Sequence, residues 1–212
     1  MKVLLINGSP HEKGCTYTAL SLIAGELNTA GIETEILNVG TKPVGGCIGC
    51  GGCAKGNGCV FGGVVNEAIE KAKTADAFVF GTPVHYASAS GNMTSFMDRL
   101  AYAGGRYLAY KPAAICCSAR RAGTTSALDQ LVKYPEFFHM PLVSGSYWPM
   151  VHGSNPEQVL QDAEGCAVMQ ELGRNMAWLL QCIEAGKAAG IQHPENPRRP
   201  VSYTHLRAHE TL

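Results

Sequence analysis

The sequence predicts an α/β domain in which a parallel β-sheet is covered by helices on both faces. Five short apolar runs alternate with helical patterns, and short connections join them. The first run, at 3–6, is continuously aliphatic, which is typical of a strand buried on both faces. Strands and helices that alternate in this way are joined by right-handed crossovers, so the strands lie parallel.

The first half of the chain contains three predicted strands. After the strand at 3–6, apolar residues at helical spacing predict a helix from 16 to about 30, and Gly31 marks its end. Residues 33–39 alternate between polar and apolar side chains, which indicates a strand nearer the sheet edge. The other elements predicted in this half are a helix at 64–73, a strand at 77–80 and a helix at 92–104.

The second half adds two strands, at 113–117 and 141–144, with a helix at 125–133 between them. A long helical pattern then runs from 156 to about 189. We expect a break near Gly165 or Gly173, because glycine weakens a helix interior.

Five strands fit the flavodoxin-like order 2-1-3-4-5 better than a full dinucleotide-binding sheet. Ligands of such sheets bind beyond the carboxyl ends of the strands, where the strand order reverses. This rule selects three loops as the candidate site, at 7–16, 82–92 and 118–125. We assign 1–191 to one domain and 192–212 to a disordered, non-native tail, since three prolines fall within 193–200 and no periodicity follows.

Composition narrows the function classes. Lys plus Arg and Asp plus Glu both number 17, so the formal net charge is zero and neither nucleic acid nor an anionic membrane is an expected partner. The first apolar run is too short for a signal peptide, and no run reaches the length of a membrane span. We therefore expect a cytoplasmic protein with reduced thiols, in which nine cysteines favour metal or redox chemistry over disulfides.

Four cysteines lie close together in a glycine-rich loop, at Cys47, Cys50, Cys53 and Cys59. The first three are spaced like the ligands of a bacterial ferredoxin cluster, and the glycine-rich step before Cys59 gives the fourth thiolate room to reach the same centre. Zinc sites usually separate two pairs of ligands by a dozen or more residues. A four-iron cluster is the favoured interpretation, with zinc and metal-free thiols as alternatives. The remaining paired and helical cysteines, Cys116, Cys117, Cys166 and Cys182, are expected in the core.

The three loops offer the groups that a flavin nucleotide requires. In the first, backbone N–H groups, a helix start and the hydroxyls of Ser9 and Thr16 suit a phosphate, although Thr16 could equally be a helix cap. The second loop offers aromatic surface and backbone amides, with a structural role as the default for His85. The third adds hydroxyls beside Arg120 and Arg121, which are equally interpretable as surface residues. The chain has neither the dinucleotide fingerprint nor the Gly-Lys-Ser/Thr nucleotide loop.

Together these segments resemble the NADPH-dependent FMN reductase family, and the cysteine run resembles its iron–sulfur flavoprotein branch. The segments that carry the resemblance are INGSP at 6–10, GCT at 14–16, GTPVHY at 81–86 and GNMTSFMDR at 91–99. The resemblance covers residue 1 to about 191. It implies a flavodoxin-like fold, one FMN per subunit, and a homodimer or homotetramer with the flavin near a subunit interface.

The resemblance also implies roles for individual residues. The residues implied at the FMN phosphate are Ser9, Gly14, Cys15 and Thr16. Those implied along the flavin ring are Pro83, Val84, His85 and Tyr86, with Ser118 and Gly123 at the rim. Three positions depart from the family, which usually has asparagine at Cys15, tyrosine at His85 and lysine at Thr94. A thiol at a helix start is expected to have a lowered pKa.

The expected function is that of an FMN-dependent oxidoreductase. Hydride would pass from NAD(P)H to flavin and then to a second acceptor, such as a quinone, an azo or nitro compound, or an iron–sulfur partner, with no catalytic side chain. The alternative is an iron–sulfur flavoprotein that carries single electrons with a ferredoxin-like partner, and a third possibility is a zinc-stabilised binding module without flavin. The sequence contains no nicotinamide motif, so the electron donor rests on the resemblance alone.

Overall fold

The computed structural model describes residues 1–196, which form one sheet with helices on both faces. The strands are β1 (Lys2–Asn7), β2 (Glu33–Asn38), β3 (Ala77–His85), β4 (Ser88–Ala89), β5 (Ala113–Ala119) and β6 (Met150–His152). The helices are α1 (Cys15–Thr29), α2 (Val64–Thr74), α3 (Gly91–Gly104), α4 (Thr124–Phe137), α5 (Pro156–Val159) and α6 (Ala163–Ala188). Two short 3-10 turns lie at Gly52–Lys55 and Gly105–Tyr107.

Five of the strands are parallel, in the order β2-β1-β3-β5-β6. This is the predicted order 2-1-3-4-5, so the flavodoxin-like fold class is confirmed. The sixth strand, β4, is a two-residue strand that pairs antiparallel with the end of β3. It adds a hairpin at the carboxyl edge of the sheet, where the predicted second loop lies.

The sheet separates two apolar cores, and β1 shows how a continuous apolar run serves both. Val3 and Leu5 pack in the core beneath α1 and α6, whereas Leu4 and Ile6 pack in the core beneath α2 and α3. Side chains alternate across a strand, so a strand covered on both faces has no polar positions.

The four cysteines predicted to lie in the core differ in their burial. Cys116 and Cys117 are buried in β5 as expected. Cys166 is only half-buried, and the prediction is wrong for Cys182, which is exposed near the end of α6. Helical spacing alone does not say which turn of a long helix extends beyond the sheet.

The fifth parallel strand lies later in the chain than the predicted segment 141–144. That segment makes one isolated bridge, between Leu142 and Ala113, and the pairing resumes only at β6. Between them the backbone is held by α6, since the N–H of Ser146 donates to Glu171 at 2.9 Å and Asn175 donates to the carbonyl of Ser144 at 2.8 Å. These side chains satisfy backbone groups that a strand would have paired.

The long C-terminal helical pattern is interrupted before Gly165, not at it. Helix α5 ends at Val159, and Asp162 caps α6 by accepting a hydrogen bond from the N–H of Gly165 at 3.0 Å. Gly173 lies inside α6, where a Cβ would stand 2.7 Å from the carbonyl oxygen of Ile23. Both glycines therefore serve the packing and capping of α6. The break predicted near Gly165 is confirmed and lies at 160–162, whereas Gly173 marks no break.

The described part of the predicted tail lies against the domain. His193 stacks on Tyr110 with ring centroids 4.2 Å apart, and Asn196 donates to the Tyr110 hydroxyl at 2.8 Å. Residues 197–212 lie outside the described residues, so the division into domain and tail stays a prediction. Among residues 1–196, no helix is both long enough and apolar enough to cross a membrane.

Candidate flavin site and cysteine pocket

The first two predicted loops meet at the carboxyl ends of β1 and β3. The N–H of Gly8 donates to the carbonyl of Gly81 at 2.9 Å, which extends the β1–β3 pairing beyond the strand. Ser90 then links both loops, since its hydroxyl donates to the carbonyl of Gly8 at 2.9 Å and its N–H donates to Thr82 Oγ1 at 3.0 Å. Ser90 also caps α3, so the start of that helix is fixed to the same edge.

Helix α1 begins at this edge without a side-chain cap. Its N-cap residue is Gly14, and no described residue accepts a hydrogen bond from the N–H groups of Cys15, Thr16 or Tyr17. The first N–H groups of a helix carry its positive dipole end and bind anions such as phosphate. The predicted phosphate residues thus surround an open helix N-terminus.

Buried hydroxyl groups connect the first loop to the third. Thr16 Oγ1 and Ser118 Oγ lie 2.8 Å apart, and both residues are buried. One of the two hydroxyls donates in this bond, so the hydrogen of the other stays free to donate to an acceptor such as a phosphate oxygen. Ser9 is also buried, and its hydroxyl accepts from the N–H of His11 at 3.1 Å, which shapes the loop before α1.

The Cys15 thiol does not behave as predicted for a helix start. Burial raises its pKa, and the charge of Glu157 raises it further, against a smaller lowering by a backbone hydrogen bond. The thiol donates to the carbonyl of Gly153 at 3.5 Å. The expectation of a lowered pKa is therefore wrong, because the burial that disfavours the thiolate outweighs the backbone hydrogen bond that favours it.

The four residues predicted along the flavin ring lie in the β3–β4 hairpin. Pro83 and Val84 belong to β3, and His85 pairs with Ser88 across a turn formed by Tyr86 and Ala87. Both turn residues have positive φ, 49° and 59°, as in a type I′ hairpin turn, which glycine or asparagine usually occupies. His85 and Tyr86 are exposed, so the hairpin presents an aromatic ring and an imidazole to solvent at a strained turn.

Gly123 brings the third loop against this hairpin. Its φ is 93°, and a Cβ there would lie 2.6 Å from the Cα of Ala87 and 3.0 Å from a methyl carbon of Val84. The close approach and the positive φ both require glycine. Arg120 and Arg121, in the same loop, are exposed.

The structure thus brings the predicted flavin residues together in two groups. Hydrogen bonds and loop geometry link Ser9, Gly14, Thr16 and Ser118 around the start of α1, while Gly123 packs on the hairpin that carries Pro83, Val84, His85 and Tyr86. Two residues that support the site were not predicted from the sequence. Asn7 is buried and donates to Asn38 Oδ1 at 2.8 Å, and Gln130 accepts from Ser88 and from the N–H of Ala89 at 2.6 and 3.0 Å. A polar residue directly after a buried strand was the available signal for Asn7.

The four loop cysteines line one pocket of about 230 Å³, which we call the cysteine pocket. Its lining comprises Cys47, Ile48, Gly49, Cys50, Gly51, Cys53, Cys59, Val60, Phe61, Arg99, Tyr102 and Ala103. The loop turns through a 3-10 segment flanked by Gly51 and Gly56, whose φ values are 69° and 82°. Asn66 holds Cys59 by accepting from its N–H at 2.8 Å and donating to its carbonyl at 3.0 Å.

The pocket contains four thiols, the type of ligand that an iron–sulfur cluster uses, but these thiols are not arranged to hold a single metal ion. All four cysteines are free thiols, and no three His, Cys, Asp or Glu side chains in the described range converge closely enough to hold a metal ion. A tetrahedral zinc ion with Zn–S bonds of about 2.3 Å would require its sulfur ligands within about 4 Å of one another. An iron–sulfur cluster places each thiolate on a separate iron, so its ligands are spread more widely around one cavity. Four thiols around one pocket fit that donor chemistry.

The fold and the open helix N-terminus define a flavodoxin-like α/β protein of the kind that binds flavin nucleotides. The chain belongs to the NADPH-dependent FMN reductase family, whose model matches residues 1–155. The match includes all three loops and the cysteine run, and it ends just before α5. The chain is therefore a flavin oxidoreductase of an FMN-binding family.

Curated relatives come from archaea. The chain is similar to an iron-sulfur flavoprotein of Methanocaldococcus jannaschii, with 28% identity over 192 residues that cover 87% of this chain and 100% of the relative. It is also similar to an iron-sulfur flavoprotein of Archaeoglobus fulgidus, with 32% identity over 169 residues, which are 78% of this chain and 83% of the relative.

Solved structures share the fold at low identity. RosB, solved with a bound 8-demethyl-8-formylriboflavin-5′-phosphate intermediate, has a TM-score of 0.68 at 13% identity and covers 96% of this chain and 92% of its own. An NADH:FMN oxidoreductase in its apo form has a TM-score of 0.59 at 18% identity, covering 85% of this chain and 89% of its own.

Proposed function

We propose that the chain is an FMN-dependent NAD(P)H oxidoreductase that passes reducing equivalents from a nicotinamide through flavin to a second acceptor. The observation that carries the proposal is the uncapped start of α1 at the carboxyl edge of the sheet, beside the buried hydroxyls of Thr16 and Ser118. Family membership names the cofactor for which such a site is built.

The residues of the chain bind and orient the cofactor rather than exchange protons with the substrate. The N–H groups of Cys15, Thr16 and Tyr17 would donate to the FMN phosphate, and the hairpin at 83–89 would border the isoalloxazine ring. When bound, FMN supplies the hydride chemistry, because its ring accepts two electrons and a proton from a reduced nicotinamide. The strained, exposed turn at Tyr86 and Ala87 leaves one edge of the ring site open to a nicotinamide or an acceptor.

The contribution of the phosphate group to FMN binding can be measured on the wild-type protein. Two or three charge-assisted hydrogen bonds of about 1.5 kcal/mol or more each predict that FMN binds at least about 100-fold more tightly than riboflavin. Titration of the apoprotein with both flavins, followed by flavin fluorescence, gives the ratio. Equal affinities would mean that the start of α1 does not hold the phosphate.

Turnover distinguishes the oxidoreductase from a carrier. Steady-state assays of FMN-loaded protein with NADPH or NADH and a quinone, an azo dye or a nitro compound should show catalytic consumption of the nicotinamide. If neither nicotinamide supports turnover and reduced ferredoxin reduces the flavin, the protein is an electron carrier and the oxidoreductase proposal is wrong.

The second candidate function, an iron–sulfur flavoprotein with a ferredoxin-like partner, is favoured by the four-thiol pocket and by the names of the curated relatives. In this proposal Cys47, Cys50, Cys53 and Cys59 hold a four-iron cluster, which exchanges single electrons. The protein would be purified anaerobically and assayed for iron and acid-labile sulfide. Less than one iron per subunit after reconstitution would remove the cluster.

The subunit assembly and the cellular location are part of the same proposal. We propose a cytoplasmic homodimer or homotetramer, for which exposed apolar side chains such as Trp178 on α6 and Phe137 on α4 are available as contacts. Light scattering on a sizing column measures the subunit number, and a monomer at micromolar concentration would contradict it.

A further inference from the structure

Arg99 is a buried cation that the flavin site does not use. It lies on the inner side of α3, only 7% exposed, and lines the cysteine pocket. Guanidinium groups stay protonated at all ordinary pH values, so this side chain carries its charge in the interior. Buried charges are normally paired with an opposite charge.

The guanidinium holds both ends of the cysteine run. Its Nε donates to Cys59 Sγ at 3.2 Å, Nη1 donates to the carbonyl of Gly45 at 3.3 Å, and Nη2 donates to the carbonyl of Gly62 at 3.0 Å. The ring of Phe61 lies 5.6 Å from the guanidinium carbon. One planar fork therefore joins the segment before Cys47 to the segment after Cys59, a geometry that a lysine cannot reproduce.

No carboxylate compensates this charge. Among residues 1–196, no Asp or Glu oxygen lies within 4.0 Å of Arg99, so its acceptors are two carbonyl groups and a sulfur atom. The adjacent carboxylate, Asp98, instead accepts from the hydroxyl of Tyr134 at 2.5 Å. Four cysteine thiols line the same pocket, so a negatively charged group held by them would lie beside this cation.

We propose that Arg99 is the positioning residue of the cysteine pocket, which orients Cys59 as a ligand and compensates the negative charge of an iron–sulfur cluster held by the four thiolates. This inference rests on the cluster proposed above. A one-electron reduction there adds one negative charge without making or breaking a bond, and the electron comes from reduced flavin or a ferredoxin-like donor. A cation in contact with a ligand sulfur stabilises the reduced form, so Arg99 raises the reduction potential.

The test uses anaerobically reconstituted holoprotein and three variants, R99Q, R99K and R106Q. Arg106 is the matched control, because it also donates to the same loop, at the carbonyl of Gly56 with a distance of 3.2 Å, but it is exposed and does not line the pocket. Two quantities are measured on each protein. They are the cluster potential, from a titration with mediator dyes followed by electron paramagnetic resonance, and the rate of iron release to a chelator.

R99Q should lower the ratio of reduced to oxidised cluster at a fixed potential by about tenfold, which is a shift of 59 mV for a one-electron couple. R99K keeps the charge and should hold the potential near the wild-type value, but it should release iron about tenfold faster, as loss of an outer-shell partner does. R106Q should leave both quantities unchanged. A purely structural role would raise iron release in R99Q and R99K alike without moving the potential.

Four outcomes overturn the inference. A wild-type potential in R99Q, or an R106Q shift as large as that of R99Q, removes the charge role while leaving the cluster intact. A wild-type protein that takes up FMN but no iron overturns the cluster and the inference together, yet leaves the flavin reductase standing. If R99Q does not fold, R99K is the remaining test. Iron release from R99K at the wild-type rate would show that the Arg99 guanidinium does not hold Cys59.

Discussion

The hydroxyl pair of Thr16 and Ser118 offers the sharpest test of the flavin site, because the two residues lie far apart in sequence and meet only in the fold. We consider the variants T16V, S118A and the double variant. T16V replaces the hydroxyl with a methyl group of similar size, so it changes hydrogen bonding with little change in volume. Both residues are buried, at 1% and 4% exposure, and water cannot easily replace a lost partner.

The expected magnitudes follow from that burial. Each single variant loses a hydrogen bond worth about 1 kcal/mol and strands the other hydroxyl at about 1–3 kcal/mol, so each should lower the free energy of unfolding by about 2 kcal/mol. The double variant strands no hydroxyl, so it should lose only about 1 kcal/mol, for the hydrogen bond itself, rather than the additive 4 kcal/mol.

Urea unfolding of the apoproteins measures these free energies, and flavin titration measures the second consequence. If the hydroxyls also contact the FMN phosphate, both single variants and the double variant should bind FMN about tenfold more weakly, corresponding to about 1.4 kcal/mol. Riboflavin, which lacks the phosphate, is the control and should bind all four proteins alike. Additive losses of stability would refute the pairing, and equal weakening of FMN and riboflavin would refute the phosphate contact.

Two further predictions concern the scaffold. G123A should destabilise the protein by about 2 kcal/mol or more, because φ is +93° and the new Cβ would lie 2.6 Å from the Cα of Ala87, whereas G91A, with open space around it, should be neutral or stabilising by urea unfolding. Burial raises the pKa of the Cys116 thiol, and it raises the pKa of Cys117 to about 12, so these thiols ionise first in the unfolded chain. Above about pH 9 each thiol should then lower the unfolding free energy by about 1.4 kcal/mol per pH unit, and C116A/C117A should remove the contribution of these two thiols to that slope.

Short-range patterns predict the elements of this chain because their causes are local. The run at 3–6 has no polar position, and that is enough to place a strand covered on both faces. Gly31 ends α1 because its φ of 76° suits a residue without a side chain. Errors appear where a distant side chain intervenes, as beyond Val143, where side chains of α6 bond the backbone at Ser144 and Ser146 and strand pairing resumes only at β6.

The candidate site, like the fold, could be predicted from the sequence only in part. Loops after buried strands could be located from sequence, since the carboxyl ends of parallel strands meet at one edge. The properties of individual groups could not be predicted in this way. For Cys15, the desolvation that raises its pKa comes from the surrounding fold. Arg99 appeared in the sequence only as part of a helix, and its position beside Cys59 depends on how α3 packs against a loop from elsewhere in the chain.

The α/β class, the strand order, the three loops at the sheet edge and the clustering of four thiols could all be predicted from the sequence. All of these depend on periodicity, on turn residues and on spacing within one segment. Contacts between distant segments were needed to show that α1 begins uncapped beside Ser118, that Gly123 closes on the hairpin, and that the cysteine pocket is lined by a cation with no carboxylate partner among residues 1–196. These features depend on contacts between segments far apart in the chain, because charge compensation and desolvation are properties of a packed interior.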